Sequence, residues 1–131
     1  MPVVLAVGLD DGCLDLLTTA MERQDEATLV AQPDAHSARD WLRRGGAAPR
    51  LIVATFHETD AWGLSALLAG ACSRGASGTP DVLLLTDVPA AALPVLITDV
   101  AGLRTVAAGS TEDLTAHLEG VLLSWSVLAA G

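Results

Sequence analysis

The sequence is poor in positive charge and in aromatic side chains. It has no lysine and no tyrosine, one phenylalanine, and seven basic residues against sixteen acidic ones, so its formal net charge is −9. A surface that follows a nucleic-acid backbone needs many cations, because lysine and arginine make the phosphate contacts. We therefore expect no nucleic-acid partner, and we interpret the acidity mainly as a source of solubility.

Cysteine and histidine are also scarce. Cys13 and Cys72 are too few for a disulfide framework and do not form a CxxC pair. His36, His57 and His117 lie far apart along the chain, without the spacing of metal ligands. The sequence therefore predicts no metal site and no cofactor.

Long hydrophobic runs are missing. No uninterrupted apolar run approaches the roughly 18 residues needed to cross a bilayer, and the N-terminus lacks the basic flank of a signal peptide. We expect a cytoplasmic protein without membrane contact. A chain of 131 residues is long enough for one core, so we predict a single domain over residues 1–131. The chain stops directly after its last predicted helix, as a domain cut from a longer protein would.

Five short apolar runs carry the fold prediction. All five are too short for a helix, and the first, third and fourth are continuous, which is typical of strands buried on both faces of a parallel sheet. They occupy residues 2–9, 26–32, 51–56, 81–86 and 103–108. Segments with helical spacing alternate with them, including residues 62–73, a short helix within residues 89–100 that Pro94 breaks or starts, and a last helix capped by Ser110. The alternation predicts an α/β three-layer sandwich around a five-stranded parallel sheet.

The loop after the third run is the first place to look for chemistry. Working sites of open α/β sheets lie just beyond the carboxyl ends of the strands, which here means residues 55–60. His57, Glu58 and Asp60 could supply a general acid or base, but no nucleophile or oxyanion donor accompanies them. No GxGxxG or P-loop pattern follows any strand, so the sequence does not indicate nucleotide binding.

Residues 49–64, PRLIVATFHETDAWGL, resemble the phosphorylation segment of the receiver domains of two-component response regulators. Those domains carry a pattern like P-D-L-V-L-L-D-L-x-M-P-x-x-D-G-L, in which Pro49 and the pair Gly63-Leu64 find their matches. The order of elements extends the resemblance over nearly the whole chain. It implies a flavodoxin-like fold with strand order 2-1-3-4-5, and it puts the phosphoacceptor aspartate of receivers on Thr55.

The other functional positions of receivers are matched only in part. Thr86 falls on the Thr/Ser that ends strand four, the lysine that ends strand five falls near Ala107, and the acidic pair after strand one reaches Asp10-Asp11 only after a small shift. Phosphotransfer needs an aspartate nucleophile, carboxylates that hold Mg²⁺, and a cation for the phosphoryl oxygens. Because nucleophile and cation are absent, the resemblance implies a degenerate, non-enzymatic pseudo-receiver. We expect Asp10 and Asp11 to act as helix N-caps.

Two functions are compatible with these residues. The first is a phosphorylation-independent module for protein–protein contact in bacterial regulation or protein localisation. The atypical receiver that precedes a MinD-like ATPase in TadZ/CpaE-type pilus-assembly proteins is an example of such a domain. The second is a small-ligand sensor or enzyme of the flavodoxin-like class, with a cleft formed by Asp10, Asp11, Thr55, His57 and Thr86.

The last helix is the predicted contact surface. It is apolar around most of its circumference and carries Leu118, Leu122 and Trp125, and such a helix usually packs against something beyond its own sheet. The resemblance points the same way, because this helix belongs to the usual dimer or output surface of receivers. We therefore expect a homodimer through the last helix, or a protein partner there. Trp62, at the start of the third helix, is a further aromatic side chain that could be exposed.

Overall fold

The computed structural model has a parallel sheet between two layers of helices. It describes residues 3–22, 28–44, 49–74, 80–100, 102–108 and 110–130, without the side chains of residues 72–74, 90 and 124–130. The strands are β1 (Val3–Val7), β2 (Thr28–Gln32), β3 (Leu51–Thr55), β4 (Asp81–Leu85) and β5 (Leu103–Val106). The α-helices are α1 (Asp11–Glu22), α2 (Ala35–Arg43), α3 (Ala61–Arg74), α4 (Val95–Thr98) and α5 (Thr111–Ala130).

The strands are all parallel and lie in the order 2-1-3-4-5, which confirms the predicted flavodoxin-like arrangement. All five residues of β1 are buried, and four of the five in β3 and in β4 are buried as well. The edge strands β2 and β5 are partly exposed. Continuous apolar runs in the sequence therefore mark the three central strands, where helices cover both faces.

The core is split by the sheet into two clusters. Leu5, Ile52 and Leu84 face the layer formed by α2, α3 and α4. Their immediate neighbours along the strands, including Val53 and Leu83, face the layer formed by α1 and α5. This division follows from the pleat, which sends successive side chains to opposite faces.

Several elements differ in extent from the sequence prediction, each for a local reason. The first strand ends at Val7 because Gly8 has a φ of +65°, a left-handed conformation that ends the extended strand. The short helix predicted within residues 89–100 is only the four-residue α4, which begins after Pro94 and follows a 3₁₀ turn, Ala90–Ala92. Within the described residues, no helix combines the length and apolar character that a bilayer crossing requires.

Polar side chains cap the starts of α2 and α5, and the cap at Ser110 was predicted from the sequence. The Asp34 carboxylate accepts a hydrogen bond from the Ser37 amide at 2.8 Å and caps α2. Ser110 caps α5, since its hydroxyl accepts from the Asp113 amide at 3.2 Å. The reciprocal half of a capping box is replaced by another contact: the Asp113 carboxylate accepts from the Ala107 amide at 2.9 Å.

Candidate functional site

The carboxyl ends of the strands form one edge of the sheet and position the predicted site. Thr55 is the last residue of β3 and pairs in register with Leu85 of β4, while Leu85 pairs with Val106 of β5. Beyond the strands, the Thr86 amide donates to the Val106 carbonyl at 2.9 Å. The register thus brings Thr55, Thr86 and Ala107 to the same edge, at the positions that the receiver resemblance assigns to phosphoacceptor, hydroxyl and cation.

The Thr86 hydroxyl, just after β4, is hydrogen-bonded within its own loop. Thr86 is 8% exposed, and its Oγ1 accepts a hydrogen bond from the Val88 amide at 3.0 Å. This is the local turn contact that threonine commonly makes at the end of a strand. Thr86 therefore stabilises the β4–α4 loop.

Asp10 is a helix cap. Its carboxylate accepts a hydrogen bond from the Cys13 amide at 2.8 Å, at the start of α1. That bond is the main cause of a pKa below the usual value for this side chain, which is itself exposed to solvent. Asp11 is exposed in the first turn of the same helix. Of the two carboxylates predicted as caps, Asp10 thus accepts the capping hydrogen bond at the start of α1.

Cys13 is placed unfavourably for thiolate chemistry. Burial raises the pKa of its thiol, and the neighbouring Asp10 carboxylate raises it further. A position near a helix start could have lowered this pKa, but desolvation and a nearby negative charge act in the opposite direction. The group is therefore a small, partly buried side chain packed beside the core.

The position that the resemblance assigns to the receiver lysine has no cation, and a carboxylate lies beside it. Ala107 has no cationic group, and its amide is held by the Asp113 carboxylate. The same carboxylate lies 3.5 Å from Nδ1 of His117, on the next turn of α5. A phosphoryl group near this strand end would meet a carboxylate where a receiver supplies a cation, and this arrangement repels an anion.

A small cavity lies on the other side of the edge, between the ends of β1 and β3 and the starts of α2 and α3. Its volume is about 40 Å³, and its polar lining comes from Asp34, Thr55, His57 and Asp60. Pockets that hold drug-sized ligands or cofactors measure roughly 300–1,000 Å³. A cavity of this size has room for a few water molecules but not for a flavin or a nucleotide.

The residues of the predicted cleft do not all line this cavity. Thr55 and His57 line the cavity, whereas Asp10, Asp11 and Thr86 do not. Sequence reasoning had not placed Asp34 in this group, although it follows the end of β2 and so belongs to the same edge. Among the residues that the structure describes, no cluster of three or more His, Cys, Asp or Glu side chains could hold a metal ion.

Two of the predicted interface residues belong to the core. Leu118 is 1% exposed and Leu122 is 8% exposed, and both lie in the core cluster with α1. This corrects the assignment of these two side chains to a contact surface, because they cover the sheet of their own chain. Leu123 points outward instead and is 66% exposed. The side chain of Trp125 lies outside the described residues, so its interface role stays a prediction.

Comparison with known proteins supports the fold. No protein-family model matches the sequence, and no curated protein matches it at a significant level. Among solved structures, the chain is similar to a CheY-like protein (tadZ) from Pseudomonas aeruginosa PAO1, with a TM-score of 0.65 and 15% sequence identity. The match covers 95% of this chain and 98% of the other. The chain therefore has a CheY-like, receiver-type fold, as the resemblance at residues 49–64 implies.

Proposed function

We propose that this chain is a pseudo-receiver that works without phosphorylation, by contact with another protein. The observation that carries the proposal is the threonine at the end of β3: Thr55 has no carboxylate, so it cannot form the acyl phosphate on which receiver switching depends. The neighbouring groups support it, because Asp10 is engaged by the Cys13 amide and a carboxylate, Asp113, lies beside Ala107. The CheY-like fold fits a regulatory domain of this kind.

The small-ligand alternative is less well supported. It requires one cleft shared by the carboxylates after β1 and the side chains after β3 and β4. The cavity takes only Thr55 and His57 from that predicted set, and its volume is about 40 Å³. The geometry therefore favours an interaction module over a sensor of nucleotides or flavins.

The phosphorylation-independent part is tested with a small phosphodonor. The chain is incubated with acetyl phosphate and Mg²⁺ beside an ordinary receiver domain as positive control, and intact mass is measured. We expect the control to gain a phosphoryl group and this chain to gain none. An acid-stable adduct that Thr55→Val abolishes, or an acyl phosphate on any aspartate, would refute the proposal.

The contact part is tested through quaternary state. Light scattering behind size exclusion, over a concentration series, compares the wild type with Trp125→Asp. We expect a wild-type dimer that the substitution separates into folded monomers, as the apolar last helix predicts. A wild type that is monomeric at every concentration would remove the homodimer and leave a different protein as the partner.

A further inference from the structure

The two lateral edges of the sheet differ in how far their outward backbone groups are already hydrogen-bonded. The edge strands are β2 and β5. In a parallel pair, every second residue of an edge strand bonds to its neighbour, and the residues between them point their N–H and C=O groups outward. Outward groups that stay free are a template on which a further strand can pair.

Two hydrogen bonds fix which residues point outward. The Gly8 amide, just after β1, donates to the Gln32 carbonyl of β2 at 2.9 Å. The Thr86 amide, just after β4, donates to the Val106 carbonyl of β5 at 2.9 Å. With the observed register, the even-numbered residues of both edge strands therefore bond to the sheet, and the odd-numbered residues point outward.

The edge at β5 is closed by the chain itself. At its start, the outward amide of Leu103 donates to the Val100 carbonyl at 3.3 Å. At its end, the outward amide of Ala107 donates to the Asp113 carboxylate at 2.9 Å, and the Ala107 carbonyl accepts from the Ser110 amide at 3.1 Å. A strand that approached this edge would find only one outward residue, between these two, without such bonds.

The edge at β2 is open. Leu29 and Ala31 point outward, and within the part of the chain that the structure describes no turn, loop or side-chain hydrogen bond involves either residue. Ala31 is exposed, while Leu29 and Val30 are half-buried and pack at the margins of the two core clusters. The strand, TLVAQ, contains neither a charge nor a proline, the features that usually prevent an edge from pairing. An added strand with apolar side chains would cover both Leu29 and Val30.

Negative charge flanks β2 in the sequence. Asp25, Glu26 and Asp34 are the only Asp, Glu, Lys or Arg residues between Arg23 and Arg39. Asp34 is exposed two residues beyond the end of the strand. An extended segment with an apolar centre and basic residues at its ends is therefore complementary to this edge.

We propose that the β2 edge binds an extended segment of another protein, which adds a sixth strand to the sheet and carries basic residues on both sides of an apolar centre. This assigns a surface and a partner chemistry to the interaction role proposed above, and it rests on that role. A second copy of this chain fits less well. Its own β2 would bring the same acidic flanks, and the net charge of −9 on each copy adds to their repulsion.

The probe is a fluorescent peptide of about ten residues, in which alternating valine and threonine lie between lysines at both ends. Its control has the same sequence with N-methyl groups on two adjacent central residues. The methyl groups remove an N–H from each edge of the peptide and leave its charge unchanged. Polarisation titrations against the wild-type chain should show the control binding at least about tenfold more weakly. Equal affinities would overturn the proposal, because charge alone would then explain the binding.

Ala31→Pro removes an outward N–H from the open edge. Because this N–H does not bond to β1, proline is acceptable here, and the variant should remain folded by circular dichroism. It should bind the unmethylated peptide more weakly by about tenfold or more. Thr105→Pro is the matched control: it removes an outward N–H from β5 and should leave the affinity unchanged. If Ala31→Pro does not fold, the two peptides on the wild type decide the question by themselves.

Amide hydrogen exchange, followed by NMR, locates the added strand. With the peptide bound, the Leu29 and Ala31 amides should exchange at least about tenfold more slowly, while the Thr105 amide should not change. Slower exchange at Thr105 and not at Leu29 would move the surface to β5 and overturn the assignment. Self-association of the wild type that Ala31→Pro abolishes would make a second copy the occupant and overturn the choice of partner. Neither result depends on the phosphodonor experiment, so the surface and the proposed function can fail separately.

Discussion

At the scale of single residues, two glycines differ in backbone conformation: one is left-handed in a turn, and the other is helical. Gly8 has a φ of +65° in the turn after β1, whereas Gly120 lies inside α5 with open space where a Cβ would be. Gly8→Ala should cost about 1–2 kcal/mol of unfolding free energy, because alanine must adopt the left-handed conformation. Gly120→Ala should add about 0.5–1 kcal/mol, because alanine is the better helix former. Urea denaturation measures both changes, and a Gly8→Ala variant as stable as wild type would contradict the turn.

The Asp10 cap predicts a pH dependence of stability. The Cys13 amide lowers the pKa of this carboxyl in the folded state below its usual value of 3.8. The cap therefore stabilises the fold fully above that value, and its contribution is lost as the pH falls through the lower, folded pKa. Asp10→Ala should lower the melting temperature at pH 7, and the deficit should shrink below pH 3.8.

Asp15→Ala is the control for that experiment. It removes the same charge from an exposed position of α1, where the carboxylate caps no helix end. Thermal unfolding across the pH series should show a smaller deficit for Asp15→Ala at pH 7. Equal deficits for the two variants would attribute the effect to net charge and not to the hydrogen bond.

At the scale of elements, α5 separates core from surface within a few residues. Leu118→Ala should cost about 2–5 kcal/mol of unfolding free energy, because it removes a side chain that is 1% exposed and leaves a cavity against the sheet. Leu123→Ala, at a leucine that is 66% exposed, should change stability by less than about 0.5 kcal/mol. Denaturant unfolding compares the two. Similar small losses would mean that Leu118 is a surface residue.

The elements also differ in how far the sequence predicted them. β1, β3 and β4 were predicted well, because a strand covered on both faces must be apolar throughout. The stretch at residues 89–100 was expected as a short helix broken or started by Pro94, and Pro94 does separate a 3₁₀ turn from α4. α5 was predicted as a helix with Leu118 and Leu122 available to a partner. Periodicity identified its apolar side chains, but it could not show which of them its own sheet covers.

At the scale of the whole molecule, negative charge opposes compaction. The net charge is −9, and the Arg43–Asp40 ion pair, at 3.9 Å, joins side chains that are 63% and 44% exposed. Such pairs contribute little, while repulsion among the carboxylates destabilises the folded state. We expect the melting temperature to rise as NaCl increases from about 20 to 200 mM, because the Debye length shortens from about 20 Å to below 10 Å. A falling melting temperature would mean that attractive pairs dominate.

The sequence by itself determined the class of fold and predicted the loss of receiver chemistry. Continuous apolar runs at β1, β3 and β4 require a sheet covered on both sides, and the positions that the receiver resemblance assigns to the phosphoacceptor and the cation hold Thr55 and Ala107. Only the tertiary structure decided how the remaining groups are used. It engages Asp10 and Asp113 with backbone amides, buries Leu118 and Leu122, and exposes Trp62 and Leu96. The reason is physical: composition and periodicity are local, whereas burial and hydrogen bonding depend on neighbours that are distant in sequence.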